Sequence, residues 1–145
     1  MKALIYLSET KYRLTNEELV ALSNQATIAN DIHKITGYLW YHQKRFIQYF
    51  EGQEQAVDQL MENISTDNRH IVRHYISEDI QQRRFASWSM NHLGLKREIG
   101  SGTKALLKSQ LIMLDVTGNS NIELTDKIWT LADTLTERSD WLFSS

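Results

Sequence analysis

Cysteine and proline are both absent from this 145-residue chain. Without cysteine there can be no disulfide, no thiolate metal ligand and no thiol nucleophile. Without proline, and with only six glycines, the chain lacks the composition of a flexible or rod-like linker. Charge of one sign is also scarce. A formal net charge of −2 gives no electrostatic reason to expect non-specific nucleic-acid or membrane-surface binding. The five histidines are scattered, and the one pair at helical spacing, His70 and His74, lies in a segment that reads as strand, so no zinc motif forms. No apolar run approaches the roughly 20 residues of a spanning helix. The opening MKALIYLSET carries one lysine and too short an apolar stretch for a signal peptide. These absences leave the expectation of a soluble, cytoplasmic chain without a membrane or nucleic-acid partner and without a resident metal. With 41% hydrophobic and 23% charged residues, the composition is that of an ordinary globular core former.

What is present is organised around Lys34 to Gly52, KITGYLWYHQKRFIQYFEG. Tyr38 to Tyr41 is aromatic and extended in character, His42 to Lys44 is short and polar, and Phe46 to Phe50 is a second apolar strand. The pattern is that of a hairpin. Gln48 breaks it. A primary amide in an apolar strand must find partners for two donors and one acceptor or cost about 1–3 kcal/mol. Either the fold or a ligand has to satisfy it.

Before the hairpin, Lys2 to Ser8 alternates Leu4, Tyr6 and Ser8 with Ala3, Ile5 and Leu7. Both sets are largely apolar, so this strand is expected in a sheet interior, covered on both faces. Tyr6 taken alone reads as core. Thr15-Asn16-Glu17-Glu18 is a capping box for a helix carrying Leu19, Leu22, Ala26 and Ala29, and Asn30 follows as a residue that suits a helix C-terminus. After the hairpin, Val57, Leu60, Met61 and Ile64 mark a helix from about Gln53 to Ser65. Asp67 to His70 is a polar turn, Ile71 to Ser77 a strand, and Ala86 to Leu93 a last strand with Trp88 and Met90 on one face.

The order β-α-β-β-α-β-β is a split βαβ arrangement with two helices on one face, an α+β, ferredoxin-like layout. Strands apolar on both faces need cover on the other side. Thr103 to Met113, and a helix capped by Ser120-x-x-Glu123 with Leu124, Ile128, Leu131 and Leu135, are expected to supply it. The division anticipated is a sheet domain over 1–97 and a helical extension over 98–145. Trp141-Leu142-Phe143 is apolar for a terminus, so it is expected to dock or to form a contact surface.

Singly these residues carry no function; in series they do. Tyr6-x-Ser8, Asn30, Ile35-Thr36-Gly37, Phe46-x-Gln48-x-x-Glu51-Gly52, Asp67-x-Arg69-His70 and Trp88-Ser89-Met90 resemble the BLUF domain, a flavin-based blue-light sensor, over roughly residues 2 to 94. The resemblance implies a non-covalent flavin, FAD or FMN, held between the two helices on the sheet. It implies Tyr6 as electron and proton donor and Gln48 as the amide that switches between Tyr6 and the flavin N5/O4 edge. It further implies Asn30 at the pyrimidine edge, Arg69 and His70 near the O2 side, and Trp88 and Met90 as the relay toward the C-terminal helices. The tail is similar to that of short BLUF proteins without an attached output enzyme, which points to signalling through a homo-oligomer or a downstream regulatory protein.

The chain departs from the family at Gln43-Lys44-Arg45, where glycine is common, and in its aromatic Trp40, Tyr41 and Tyr49. The competing reading is a ferredoxin-like protein-interaction module that no longer binds flavin. A small enzyme is the third, and it lacks support: there is no GxGxxG and no anion-binding arginine loop near the first strand.

Overall fold

The structure is a computed structural model that describes residues 1–21, 32–42, 44–84, 91–92, 101–117 and 121–143. The chain divides into two compact units, Met1–Arg97 and Glu98–Ser145.

The first unit is built on a five-stranded sheet of order β4-β1-β3-β2-β5. Its strands are β1 (Lys2–Thr10), β2 (Thr36–His42), β3 (Arg45–Gly52), β4 (His70–Asp79) and the short β5 (Asn91–His92). The four long strands pair antiparallel, β1 with β3 and β4, and β3 with β2. β5 adds to β2 in parallel. This is the α+β, ferredoxin-like sheet that the element order implies. β1 lies between β3 and β4, so both of its hydrogen-bonding edges are paired, and residues on both of its faces are buried. Leu4, Tyr6 and Ser8 on one face and Ala3, Ile5 and Leu7 on the other are all buried.

One helix, α1 (Glu54–Thr66), packs on β1, β3 and β4. Its buried Val57 and Met61 join Leu4, Tyr6, Leu19, Ile35, Leu39, Phe46 and Phe50 in one core cluster. Residues 16–21 are helical. The capping box before them forms in both directions: Glu18 N–H donates to Thr15 Oγ1 and Thr15 N–H donates to Glu18 Oε1, each at 3.2 Å. Two orphan donors of the first turn are thereby satisfied.

Two places depart from the alternation expected of plain strands. β1 and β4 carry a bulge between Leu7 and Ser8, where Arg73 is the extra residue: Leu7 faces His74, whereas Ser8 faces Val72. An extra residue reverses which face the following side chains occupy. The bulge therefore brings Val72 and His70 onto the Tyr6 face and leaves His74, Ile76 and Glu78 on the other. The β2–β3 turn places Lys44 at φ 68°, a left-handed position that glycine adopts without a Cβ penalty.

The second unit contains α2 (Ser101–Thr117) and α3 (Ile122–Phe143), which pack on one another. Leu107, Leu111 and Leu114 of α2 and Ile128, Trp129 and Ala132 of α3 are buried. The cap of α3 is Asn121 rather than Ser120: Leu124 N–H donates to Asn121 Oδ1 at 3.1 Å. Asparagine and serine are equivalent in this role, so spacing alone did not separate them. No described helix is long and apolar enough to cross a membrane.

Candidate functional site

The register of β1 on β3 sets Tyr6 directly opposite Gln48. Both side chains lie on the face that carries α1, and both are buried, at 3% and 6% exposure. The Tyr6 hydroxyl donates to Gln48 Oε1 at 2.5 Å. The amide oxygen is thus turned toward the phenol, and no acceptor for the Gln48 N–H groups occurs among the described residues.

This pair forms part of the wall of a cavity of about 150 Å³. Leu14, Leu39, Phe46 and Ile64 give it an apolar surface, while Thr10, Asp67, Arg69 and His70 supply its polar side. Apolar walls with a few convergent polar groups are the usual make-up of a cofactor site. Such a lining suits a group with an apolar body and a hydrogen-bonding edge, to which the Gln48 amide could donate.

Tyr6 is fixed on several sides. Its ring meets Phe50 and His70 edge to face, with centroids 6.4 and 6.3 Å away. Burial, and then the Asp67 charge, push its hydroxyl well above the ordinary tyrosine range, so the phenol keeps its proton throughout the physiological range.

His70 is held at both ring nitrogens. Nε2 lies 2.8 Å from the Ile64 carbonyl and Nδ1 lies 2.9 Å from Ser8 Oγ. A carbonyl only accepts, so Nε2 carries the proton; in the neutral ring Nδ1 then accepts from the Ser8 hydroxyl. His70 therefore presents its ring to the cavity while its nitrogens tie β4 to β1 and to the last turn of α1.

Arg69 is clamped to Asp67, with Nε and Nη2 donating to the two carboxylate oxygens at 3.0 and 2.6 Å. Those bonds hold the Asp67 carboxyl down at about 2. A carboxyl depressed in the folded state stabilises the fold above its unfolded value near 4 and loses that contribution as pH falls through about 2. We expect acid titration of the melting temperature to separate wild type from Asp67→Asn between pH 4 and 2, by roughly 1 kcal/mol after solvent screening. Parallel curves in that window would remove Asp67 from this role.

Of the residues singled out in the sequence, the fold brings Tyr6, Gln48, Arg69 and His70 to one cavity. Asn30, Trp88 and Met90 lie outside the described residues. Asp67 stands in the sequence as part of a polar turn and of the Asp67-x-Arg69-His70 motif, without a role of its own; its spacing two residues before Arg69 was the available sign of an ion pair. Among the described residues no cluster of three metal-ligating side chains occurs.

Comparison with known proteins identifies the family. Residues 1–91 match the family BLUF, "Sensors of blue-light using FAD". No curated protein matches the chain. Among solved structures, a bacterial light-regulated adenylyl cyclase is 30% identical, with TM-score 0.65, over 81% of this chain and 35% of its own. BlrP1 of Klebsiella pneumoniae, in a calcium and cyclic di-GMP complex, is 30% identical with TM-score 0.62 over 74% of this chain. The BLUF protein BlrB, in its dark state, is 25% identical with TM-score 0.61 over 92% of this chain and 95% of its own. The chain spans about a third of the length of the cyclase and 28% of BlrP1. Family match, sheet order and the Tyr6–Gln48 cavity converge: this chain belongs to the BLUF family of flavin-binding blue-light sensors.

Proposed function

We propose that this chain senses blue light by switching the hydrogen bonds of Gln48, with Tyr6 as the donor that starts the switch, and that FAD is its flavin. The observation that carries the reading is the buried Tyr6 O–H to Gln48 Oε1 bond at the wall of the cavity. Bound flavin supplies the chromophore and, once excited, the electron acceptor.

The remaining chemistry belongs to the chain. Tyr6, protonated in the dark, would give an electron to bound flavin and pass its phenolic proton along the hydrogen bond to Gln48 Oε1. Its proton already points along a hydrogen bond to Gln48, so little reorganisation is needed. Gln48 then loses the donor that held its oxygen in place. Reversing the amide exchanges an acceptor for two donors at nearly constant volume, and inside a low-dielectric pocket that exchange is felt by every neighbour. Leu39, Phe46 and Ile64 exclude water. Asn30 is assigned to the pyrimidine edge of the flavin, and Arg69 with His70 to its O2 side. Trp88, Met90 and the C-terminal helices carry the signal to a homo-oligomeric or regulatory partner.

Tyr6→Phe tests the donor. The ring and its packing remain, while the electron-rich phenol and its proton are lost. We expect bound flavin with the yield of the red-shifted photoproduct lowered at least about tenfold, a loss of roughly 1.4 kcal/mol or more in the competition between forward transfer and decay. A wild-type yield in that variant would overturn the assignment.

A further inference from the structure

The face of β3 opposite Gln48 holds a second buried polar cluster that the sensing site does not use. Alternation along β3 sends Gln48 and Phe50 toward the cavity and Tyr49 and Glu51 the other way. Glu51 is completely buried, as is Tyr49. A carboxylate inside a strand of apolar neighbours is retained only when it is well bonded, and Glu51 is. Its Oε1 accepts from the Tyr49 hydroxyl at 2.9 Å and from the backbone N–H of Arg84 at 2.7 Å. The Arg84 guanidinium, 15% exposed, donates to the Tyr49 hydroxyl at 3.1 Å, lies over the Tyr49 ring and pairs with Glu78.

The neighbouring arginine completes the attachment. Arg83 donates to Thr36 Oγ1 at 2.9 Å, to the Glu51 carbonyl at 3.2 Å and to the Lys34 carbonyl at 2.7 Å. The two arginines thus hold the connection that leaves β4 against the end of β3 and the start of β2. That connection leads through residues 85–90 to β5, which pairs with β2.

We infer that Glu51 and Arg84 are positioning residues that couple the Gln48 strand to the segment entering β5. The inference rests on the light-switching reading of Gln48 above. Gln48 and Glu51 are three residues apart on one strand, too short and too firmly paired to move independently. A rearrangement that shifts β3 at Gln48 displaces the Glu51 carboxylate against Arg84. Charges and hydrogen bonds in a buried site respond steeply to distance, so a small displacement selects between two arrangements of the 80–84 connection. The cluster acts on this segment through geometry and touches no part of the cavity.

The test uses flavin-loaded full chain and compares hydrogen–deuterium exchange over residues 80–92 in the dark and under blue light. In wild type the light–dark difference is expected in this segment. Glu51→Gln keeps the shape and an acceptor oxygen but removes the charge. It is expected to retain bound flavin and the red shift, while the light–dark exchange difference falls at least about fivefold, the lower end of ordinary allosteric coupling. A merely structural role would raise exchange equally in light and dark. Glu78→Gln removes only the outer, partly exposed carboxylate and carries the same expectation should Glu51→Gln fail to fold. Glu54→Gln, which breaks a 3.6 Å contact of Lys2 with an exposed carboxylate, is expected to match wild type. Wild-type exchange differences in both Glu51→Gln and Glu78→Gln would overturn the coupling. So would a wild type that shifts its spectrum yet exchanges identically in light and dark. A wild type that binds flavin and shows no shift would remove the light-switching reading, and the coupling with it.

Discussion

Gln48→Leu is expected to purify with flavin and to show no light-induced red shift at all. Leucine nearly matches glutamine in volume and suits the apolar wall formed by Leu39, Phe46 and Ile64, so the cavity survives. The cost lies with Tyr6, whose buried hydroxyl loses the acceptor it now has at 2.5 Å. An unsatisfied buried donor costs about 1–3 kcal/mol, which lowers the melting temperature without emptying the site. The functional loss is total because the reversible group itself is gone. Absorption spectra before and after blue light check this, and a shift of wild-type size in Gln48→Leu would contradict the switching role.

The largest structural effect is expected from Gly37→Ala. Gly37 lies in β2 opposite Phe50 of β3, with φ at 157°. A Cβ at this position would come within 2.0 Å of the Tyr49 carbonyl oxygen, 2.8 Å of its carbon and 2.9 Å of Phe50 Cα. All three are backbone atoms of the central hairpin, so no side chain can turn aside to relieve them. β2 and β3 would have to part where Tyr49 links the Gln48 strand to Glu51. We expect a loss of about 4 kcal/mol or more, the range reserved for a few severe mechanisms, which removes most of the stability of an ordinary domain. Denaturant unfolding measures it; a Gly37→Ala variant within about 1 kcal/mol of wild type would show that the hairpin accommodates a side chain.

Much of this was legible in the sequence because single-segment physics decided it. The reciprocal Thr15–Glu18 cap follows from spacing, and the 53–65 helix from the Val57/Met61 stripe. The alternation of Tyr6 with Ile5 and of Gln48 with Tyr49 follows from the period of a strand. Those signals assign faces, and assigning faces already places Tyr6 and Gln48 together once β1 and β3 pair.

What escaped was set by relations between segments. Nothing in His70-Ile71-Val72-Arg73-His74 announces a bulge, yet that one extra residue decides that His70, and not His74, reaches the cavity. The buried Glu51 was read only as the end of a motif. Its partners in Arg83 and Arg84, some thirty residues on, lie in a polar, basic stretch from Gln81 to Phe85, where sequence shows charges without their partners. A carboxylate at a strand position that alternates with Tyr49 and Ile47 was the available sign that buried hydrogen-bond donors had to exist elsewhere. The Lys44 turn was visible as a departure from the glycine common in the family, and the structure gives its physical content as a left-handed lysine at φ 68°.

The most direct test of the account is the absorption spectrum of the purified protein in the dark, after blue light, and during return to darkness. A flavin spectrum that moves slightly to the red under blue light and recovers in the dark is expected. Bound flavin that bleaches without a red shift, or a protein that takes up neither FAD nor FMN on reconstitution, would contradict it.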